Sequence, residues 1–346
     1  MTCDTTSGPD VALRRRPART RLTWLLVVLT ALLLAMTASV AFGSRIVGWA
    51  DITAALGGIH DTLDQAAVVK RLPRTVLAAL VGAALALSGA VMQGVTRNPL
   101  ADPGILGVNM GAMLAIAVAM ATVGMHTATM YIWVAIAGAA VSALFVYAVG
   151  SLGRGGATPL KIALAGAATS AALASLVVAV VLPRGDIAEN FQSWQIGGVG
   201  GATWDSIGQV LPFLLAGLAV CLLCARALNS LALGDELAAG LGERVALVRG
   251  IAAAGAVVLC GAATAVAGPI AFVGLIVPHL CRLLVGLDHR WLLPFATLAG
   301  AVLLTAADVA GRVVNRPDEI EAGIITALIG APFFIYVVRR QKVREL

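Results

Sequence analysis

Apolar and polar positions along this chain fall into long blocks, not into the short alternation of a half-buried strand. Ten apolar runs stand out: Leu22–Phe42, a run from Arg71 to a polar knot at Arg97–Pro103, Ile105–Val123, Met130–Val149, Ile162–Leu182, Ile207–Ala225, Gly250–Ala267, Pro269–Leu284, Trp291–Ala307 and Ile324–Val338. From Thr75 to Met92 there is no charge at all, and roughly 18 apolar residues are enough for a helix to cross a bilayer. A soluble core helix of that length carries a polar face every three or four residues. This run carries Gly82, Ala83, Ala84, Ser88 and Gly89 instead, the small residues that let membrane helices approach closely. Pro99, Pro103 and Gly104 then break it. The pattern predicts an all-α, polytopic membrane protein of about ten transmembrane helices.

Composition sharpens the class. The 346 residues are 60% hydrophobic and 12% charged, with 38 glycines and only 5% aromatics, and the mean hydropathy is +0.94. A lipid-facing barrel would show aromatic girdles and strict alternation. The net charge of +6 raises the question of nucleic acid. The basic residues, however, sit at the ends of apolar runs and form no continuous stripe, so membrane orientation accounts for them and no nucleic-acid partner is expected.

Charge also sets the topology. Residues 1–21 hold Arg14, Arg15, Arg16, Arg19 and Arg21 before the first run. That run is longer than the 7–15 or so residues of a signal core, which favours an uncleaved span running outward from a cytoplasmic basic tail. Alternating from there places both termini in the cytoplasm of a multi-pass inner-membrane protein. Residues 22–340 form the ten-helix domain and 341–346 a basic cytoplasmic tail. Residues 43–70 and 183–204 become outer segments, and 226–249 the one sizeable polar island on the basic side, with helices expected within 229–244.

Reactive groups are sparse. Cys221 and Cys224 are spaced i,i+3 with no second Cys or His pair, which suits packing better than metal or redox chemistry. His279 and His289 lack partners at metal-site spacing, so packing and loop hydrogen bonds are expected of them and no metal site. Asp308, costly if unpaired in a membrane, has Arg312 one helical turn on. There is no GxxxxGK[ST] run, so the chain is not expected to hydrolyse ATP alone, and no catalytic constellation presents itself.

Two further patterns carry function. Gly82–Gly89 (GAALALSG) matches Gly261–Gly268 (GAATAVAG) at five of eight positions, and the same offset aligns Pro99 with Pro278 and Gly107 with Gly286. Five spans separate the copies, so they would be inverted, as in transporters built around a midplane path. In the polar island, Leu231, Leu233, Leu237 and Leu241 recur at helical spacing among Asp235, Glu236, Glu243 and Arg244, with Gly234 and Gly242 as breaks. That describes a short amphipathic helix fit to press into a groove on another protein.

The motifs RLPR at Arg71, NPLADPGILG at Asn98, LGDE at Leu233 through LG at Leu241, GPIAFVGLIVPHLCR at Gly268, DHR at Asp288, Asp308 with Arg312, and GAPF at Gly330 resemble the permease subunits of the iron-chelate and vitamin B12 family of ABC importers. The likeness spans residues 22–340. It implies a type II importer permease fold and a dimer with a second copy or a paralogue. It also implies two cytoplasmic ATPase subunits, which hold the ATP and Mg, and an extracytoplasmic substrate-binding protein. An iron–siderophore complex is the implied cargo, with cobalamin or haem as the alternative. By the same resemblance Arg71, Arg74 and Arg312 dock acidic residues of the binding protein, which suits the bidentate guanidinium fork. Leu233, Gly234, Asp235, Glu236, Leu237, Leu241 and Gly242 couple to the ATPase. Asn98, Asn109, Thr158 and Pro159 fall in the gate or translocation path. The chain departs from the family at Ile320-Glu321-Ala322-Gly323, where a Leu-Pro-x-Gly turn is usual, and at Asn109-Met110, where small hydroxyl residues are common.

Two rival classes remain. An ion-driven secondary transporter needs acids on its path, and Asp308 is the strong candidate. An intramembrane enzyme needs a buried nucleophile or metal cluster, and the sequence displays neither.

Overall fold

The computed structural model describes residues 17–59, 61–104, 107–123, 127–152 and 159–342. Among the described residues there are fourteen helices: α1 (Ala18–Ala41), α2 (Trp49–Leu56), α3 (Leu63–Thr96), α4 (Val108–Thr122), α5 (Ala128–Gly150), α6 (Pro159–Val181), α7 (Gly185–Ile196), α8 (Trp204–Leu223), α9 (Ala225–Leu231), α10 (Asp235–Gly240), α11 (Val245–Ala267), α12 (Val273–Val285), α13 (His289–Val314) and α14 (Ala322–Lys342). Seven are long and apolar enough to cross a membrane, and three shorter apolar helices accompany them, Val108–Thr122, Val273–Val285 and Ala322–Val337. These ten fall on the ten apolar runs.

Helix α3 is the central post, packing on α13, α11, α12, α1 and α8. Its 34 residues reach about 51 Å at 1.5 Å per residue, well beyond the roughly 30 Å of a hydrocarbon core. The sequence pattern opened this span at Arg71; the helix starts eight residues earlier. Thr62 accepts from the Gln65 N–H while the Gln65 side chain accepts from the Thr62 N–H, a capping box that nucleates the extra turns. The extension projects beyond the apolar span, and α2 lies on it through Ile52, Ala55 and Val68. The expected outer segment 43–70 is therefore largely helical. So is much of the second outer segment, as α7.

Small residues make the post possible. A Cβ at Gly82 would run into the Gly300 carbonyl of α13, and one at Gly89 into the Gly274 backbone of α12. The two echoing runs lie on α3 and α11, which pack directly together, with Ser88 Oγ donating to the Ala256 carbonyl at 2.8 Å. At one end of the bundle the run from Gly197 ties three helices: the Gly198 N–H donates to Ala267 O at 2.8 Å and the Gly323 N–H to Gly197 O at 2.9 Å.

The short α4 has 15 residues, about 22 Å of helix, too little for a full crossing. The connector from Arg97 folds into the protein at Ala101 and Asp102. Ala101 is buried, and a Cβ on Gly274 of α12 would meet Asp102 Oδ1. Non-helical backbone at membrane depth is tolerated only where protein covers it.

Candidate functional site

Two groups of the candidate residues gather at opposite ends of α3. At the α2 end, Arg71 donates to the carbonyls of Val40 and Ala41, both at 3.1 Å, and of Arg45 at 2.6 Å. The Val40 and Ala41 carbonyls are among the orphan acceptors at the negative end of α1, and the Arg45 carbonyl lies in the loop after it. Arg312 on α13 joins them, donating to Ser39 O at 3.1 Å, Phe42 O at 3.2 Å and Ser39 Oγ at 2.7 Å, and it pairs with Asp308 at 2.8 Å. Arg74 grips the same Asp308 with Nε at 3.0 Å and Nη2 at 2.8 Å, and holds Glu319 at 2.6 Å through Nη1. Ser44 Oγ donates to the other Glu319 oxygen at 2.8 Å.

The three arginines are thus brought together, but facing inward, with exposures of 6%, 8% and 1% for Arg71, Arg74 and Arg312. Their guanidiniums are engaged by the chain's own carbonyls and carboxylates, which fasten α1, α3 and α13 and the loop before α14. Asp308 is paired with Arg312, as its spacing predicted, and with Arg74 as well, a partner too distant in sequence to anticipate.

Two of the three acids in the loop before α14, Glu319 and Glu321, are of opposite character. Burial pushes Glu319 up, but hydrogen bonds from Arg74 and Ser44 and the nearby arginine charges hold its carboxyl below the usual glutamate range. Burial pushes Glu321 up, and Asp308 and Glu319 add to this against the pull of Arg74. Its Oε2 is buried with no hydrogen-bond partner among the described residues. This is the position where the sequence departs from the Leu-Pro-x-Gly pattern.

At the α10 end the predicted amphipathic helix is broken in two. Leu231 ends α9 and faces the core at 0% exposure, while Leu233, Leu237 and Leu241 are 58%, 62% and 65% exposed. Gly234, with φ of +112°, and Gly242, with φ of +88°, hold backbone conformations that a side chain would strain. They set α10 off as a separate short helix. Glu236 is exposed. Asp235 is half-exposed and takes Arg249 bidentately at 3.0 and 2.8 Å and Arg97 at 3.1 Å.

The gate candidates separate. Asn98 is turned back on its own loop, its side chain accepting from the Leu100 N–H at 3.0 Å. Asn109 is buried on α4 and accepts from Cys260 Sγ at 3.1 Å. Pro159 opens α6, and Thr158 lies outside the described residues. Asp102, unassigned from sequence, accepts from the Gly104 N–H at 3.1 Å. The histidines behave as expected: His289 Nδ1 lies 2.8 Å from Asn229 Oδ1, and His279 stands edge-on to Phe333. No cluster of three metal-ligating side chains occurs among the described residues.

The model of the FecCD transport family matches residues 31–340. The chain belongs to this family. The ferric enterobactin transport system permease protein FepD of Escherichia coli (strain K12) is 43% identical over 334 residues, covering 96% of this chain and 98% of that protein. The iron(3+)-hydroxamate import system permease protein FhuB of Bacillus subtilis (strain 168) is 45% identical over 273 residues, 79% of this chain and 71% of that protein. A solved inward-facing conformation of a metal-chelate type ABC transporter superposes with a TM-score of 0.77 at 28% identity, covering 92% of this chain and 99% of that one. As a FecCD chain, the protein is a multi-pass membrane transport subunit and not an enzyme, and the expected type II importer permease fold is the one observed.

Proposed function

We propose that this chain is the permease subunit of a binding-protein-dependent ABC importer that carries an iron–siderophore complex inward across the cytoplasmic membrane by alternating access. The observation that carries the reading is the exposed leucine face of Leu233, Leu237 and Leu241 beside α10, on a chain whose relatives are import-system permeases for iron complexes. Exposed apolar side chains at a membrane protein's polar end mark a docking surface. Arg97, Arg226, Arg244, Arg249, Arg282 and Arg290 cluster at that end or its loops, so it is assigned to the cytoplasm together with both termini. There α10 meets the ATPase subunits, which hold ATP and Mg and supply the differential stabilisation of inward- and outward-facing states.

The opposite end then receives the binding protein, with the Arg71, Arg74 and Arg312 network shaping the docking face from beneath. A second permease copy or a paralogue completes the path. The test is reconstitution with and without the ATPase, using ferric hydroxamate, ferric enterobactin, cobalamin and haem as cargo on the cognate binding protein. ATP-dependent uptake of a ferric siderophore is expected. Uptake of cobalamin or haem alone would reassign the cargo, and uptake driven by a proton gradient without ATPase would overturn the reading.

A further inference from the structure

Asp235 opens α10, and its half-exposed carboxylate is held by two arginines from other parts of the chain. Arg249 of α11 grips it with two nitrogens, and Arg97 Nη2 shares its Oδ1 at 3.1 Å. Arg97 is the C-cap of α3 and holds φ of +51°, ψ of 32°. That left-handed position is one a glycine fills without strain. An arginine there carries a backbone cost that its side chain must justify, and the side chain spans the gap to α10. Gly234, just before α10, would bring a Cβ within 3.7 Å of Arg97 Nη1, so the guanidinium lies directly over the start of that helix.

Arg97 is also the first residue of the connector to α4, and that connector is not slack chain. The Asn98 N–H donates to Gln93 O at 3.2 Å, and Pro99 and Leu100 share a small cleft with Leu275 and His279 of α12 and Phe333 of α14. Beyond the cleft, Ala101 is buried and Asp102 lies against Gly274. A shift of Arg97 therefore bears on a segment packed among α3, α12 and α14. A half-exposed ion pair, with side chains 43% and 44% exposed, contributes little to stability. Its value lies in what it joins.

We propose that the Arg97–Asp235 pair is a mechanical link that passes displacement of α10 to the connector between α3 and α4, with Arg249 holding Asp235 in position. Asp235 is thereby a positioning residue inside the permease and not a contact for the ATPase. This rests on the reading of α10 as the ATPase-facing helix.

A double-mutant cycle on the permease–ATPase complex tests it, with Asp235→Asn, Arg97→Gln and both together, read as cargo transported per ATP hydrolysed. Each single change lowers that ratio about five- to tenfold, the scale of an allosteric coupling. The double change lowers it no further, and Asp235→Glu restores most of it. Additive losses overturn the link. Amide exchange in the permease alone gives a second readout: Asp235→Asn speeds exchange at residues 98–104. Loss of ATPase co-purification with unchanged exchange there would make Asp235 a contact residue and overturn the proposal. Failure of the underlying ATPase reading would show instead in the unaltered protein, which would transport without the ATPase.

Discussion

Asp308 and Arg312 are each 1% exposed, and that fixes how they must be judged. A buried pair adds little over a well-packed apolar isostere, but removing one partner strands the other charge, at a cost of about 3–5 kcal/mol. Arg312→Gln and Asp308→Asn are therefore expected to lower the melting temperature in detergent sharply, and loss of binding-protein docking in either variant would follow from that. Glu319 and Glu321 of the neighbouring loop respond to pH in opposite senses. Glu319 is held below the ordinary glutamate value, so its contribution is full above that value and disappears as pH falls through the lowered one. Glu321 is raised, so the folded state favours its neutral form and loses stability as pH rises toward the raised value. Glu319→Gln is expected to melt earlier than the parent at neutral pH, the gap closing in acid. Glu321→Gln is expected to melt later at alkaline pH and to match the parent in acid. A pH series of melting curves on the two variants checks both signs.

At the scale of the element, α3 shows what a sequence makes legible. The run of Gly82, Ala83, Ala84, Ser88 and Gly89 announced close helix contact, and the structure places Gly82 on Gly300 and Gly89 on Gly274. The partners were not readable, because they lie on α13 and α12, far along the chain, and nothing local in either sequence names the other. The start of α3 was misplaced for a different reason. Charges at Asp64, Lys70, Arg71 and Arg74 end an apolar run, yet a helix can outlast its apolar stretch when it is capped and when other helices cover its arginines. Hydropathy reports the membrane-embedded portion; Thr62 and Gln65 report the helix. Gly82→Ala and Gly89→Ala insert a methyl into backbone contacts that cannot yield without separating α3 from α13 or α12. Each is expected to cost about 1–3 kcal/mol of stability, more than the few tenths gained by lowering the chain entropy of the unfolded state. Equilibrium unfolding of the two variants measures it.

Across the whole molecule, the ten apolar runs and the family-like motifs gave the architecture, while the arginines expected to dock a partner came out buried, because burial is a property of the assembled bundle. A guanidinium at a helix end looks the same in sequence whether it faces water or caps α1. The leucines of the polar island divided for the same reason. Spacing put Leu231 with Leu233, Leu237 and Leu241, but α9 ends at Leu231 and α10 starts only at Asp235, and Leu231 enters the core while the other three remain outside. Those three stay more than half exposed, so their part in folding is small beside that of the buried residues. Leu237→Asp is therefore expected to leave the melting temperature of the isolated permease nearly unchanged. Fully burying a leucine against a partner is worth about 1.5–3 kcal/mol, so the same change should weaken ATPase association by roughly ten- to a hundredfold and lower transport-stimulated ATP hydrolysis in step. Titration of the ATPase onto permease in nanodiscs, parent beside variant, gives the ratio. Unchanged affinity with an intact fold would remove α10 from the interface and leave its exposed face without a partner.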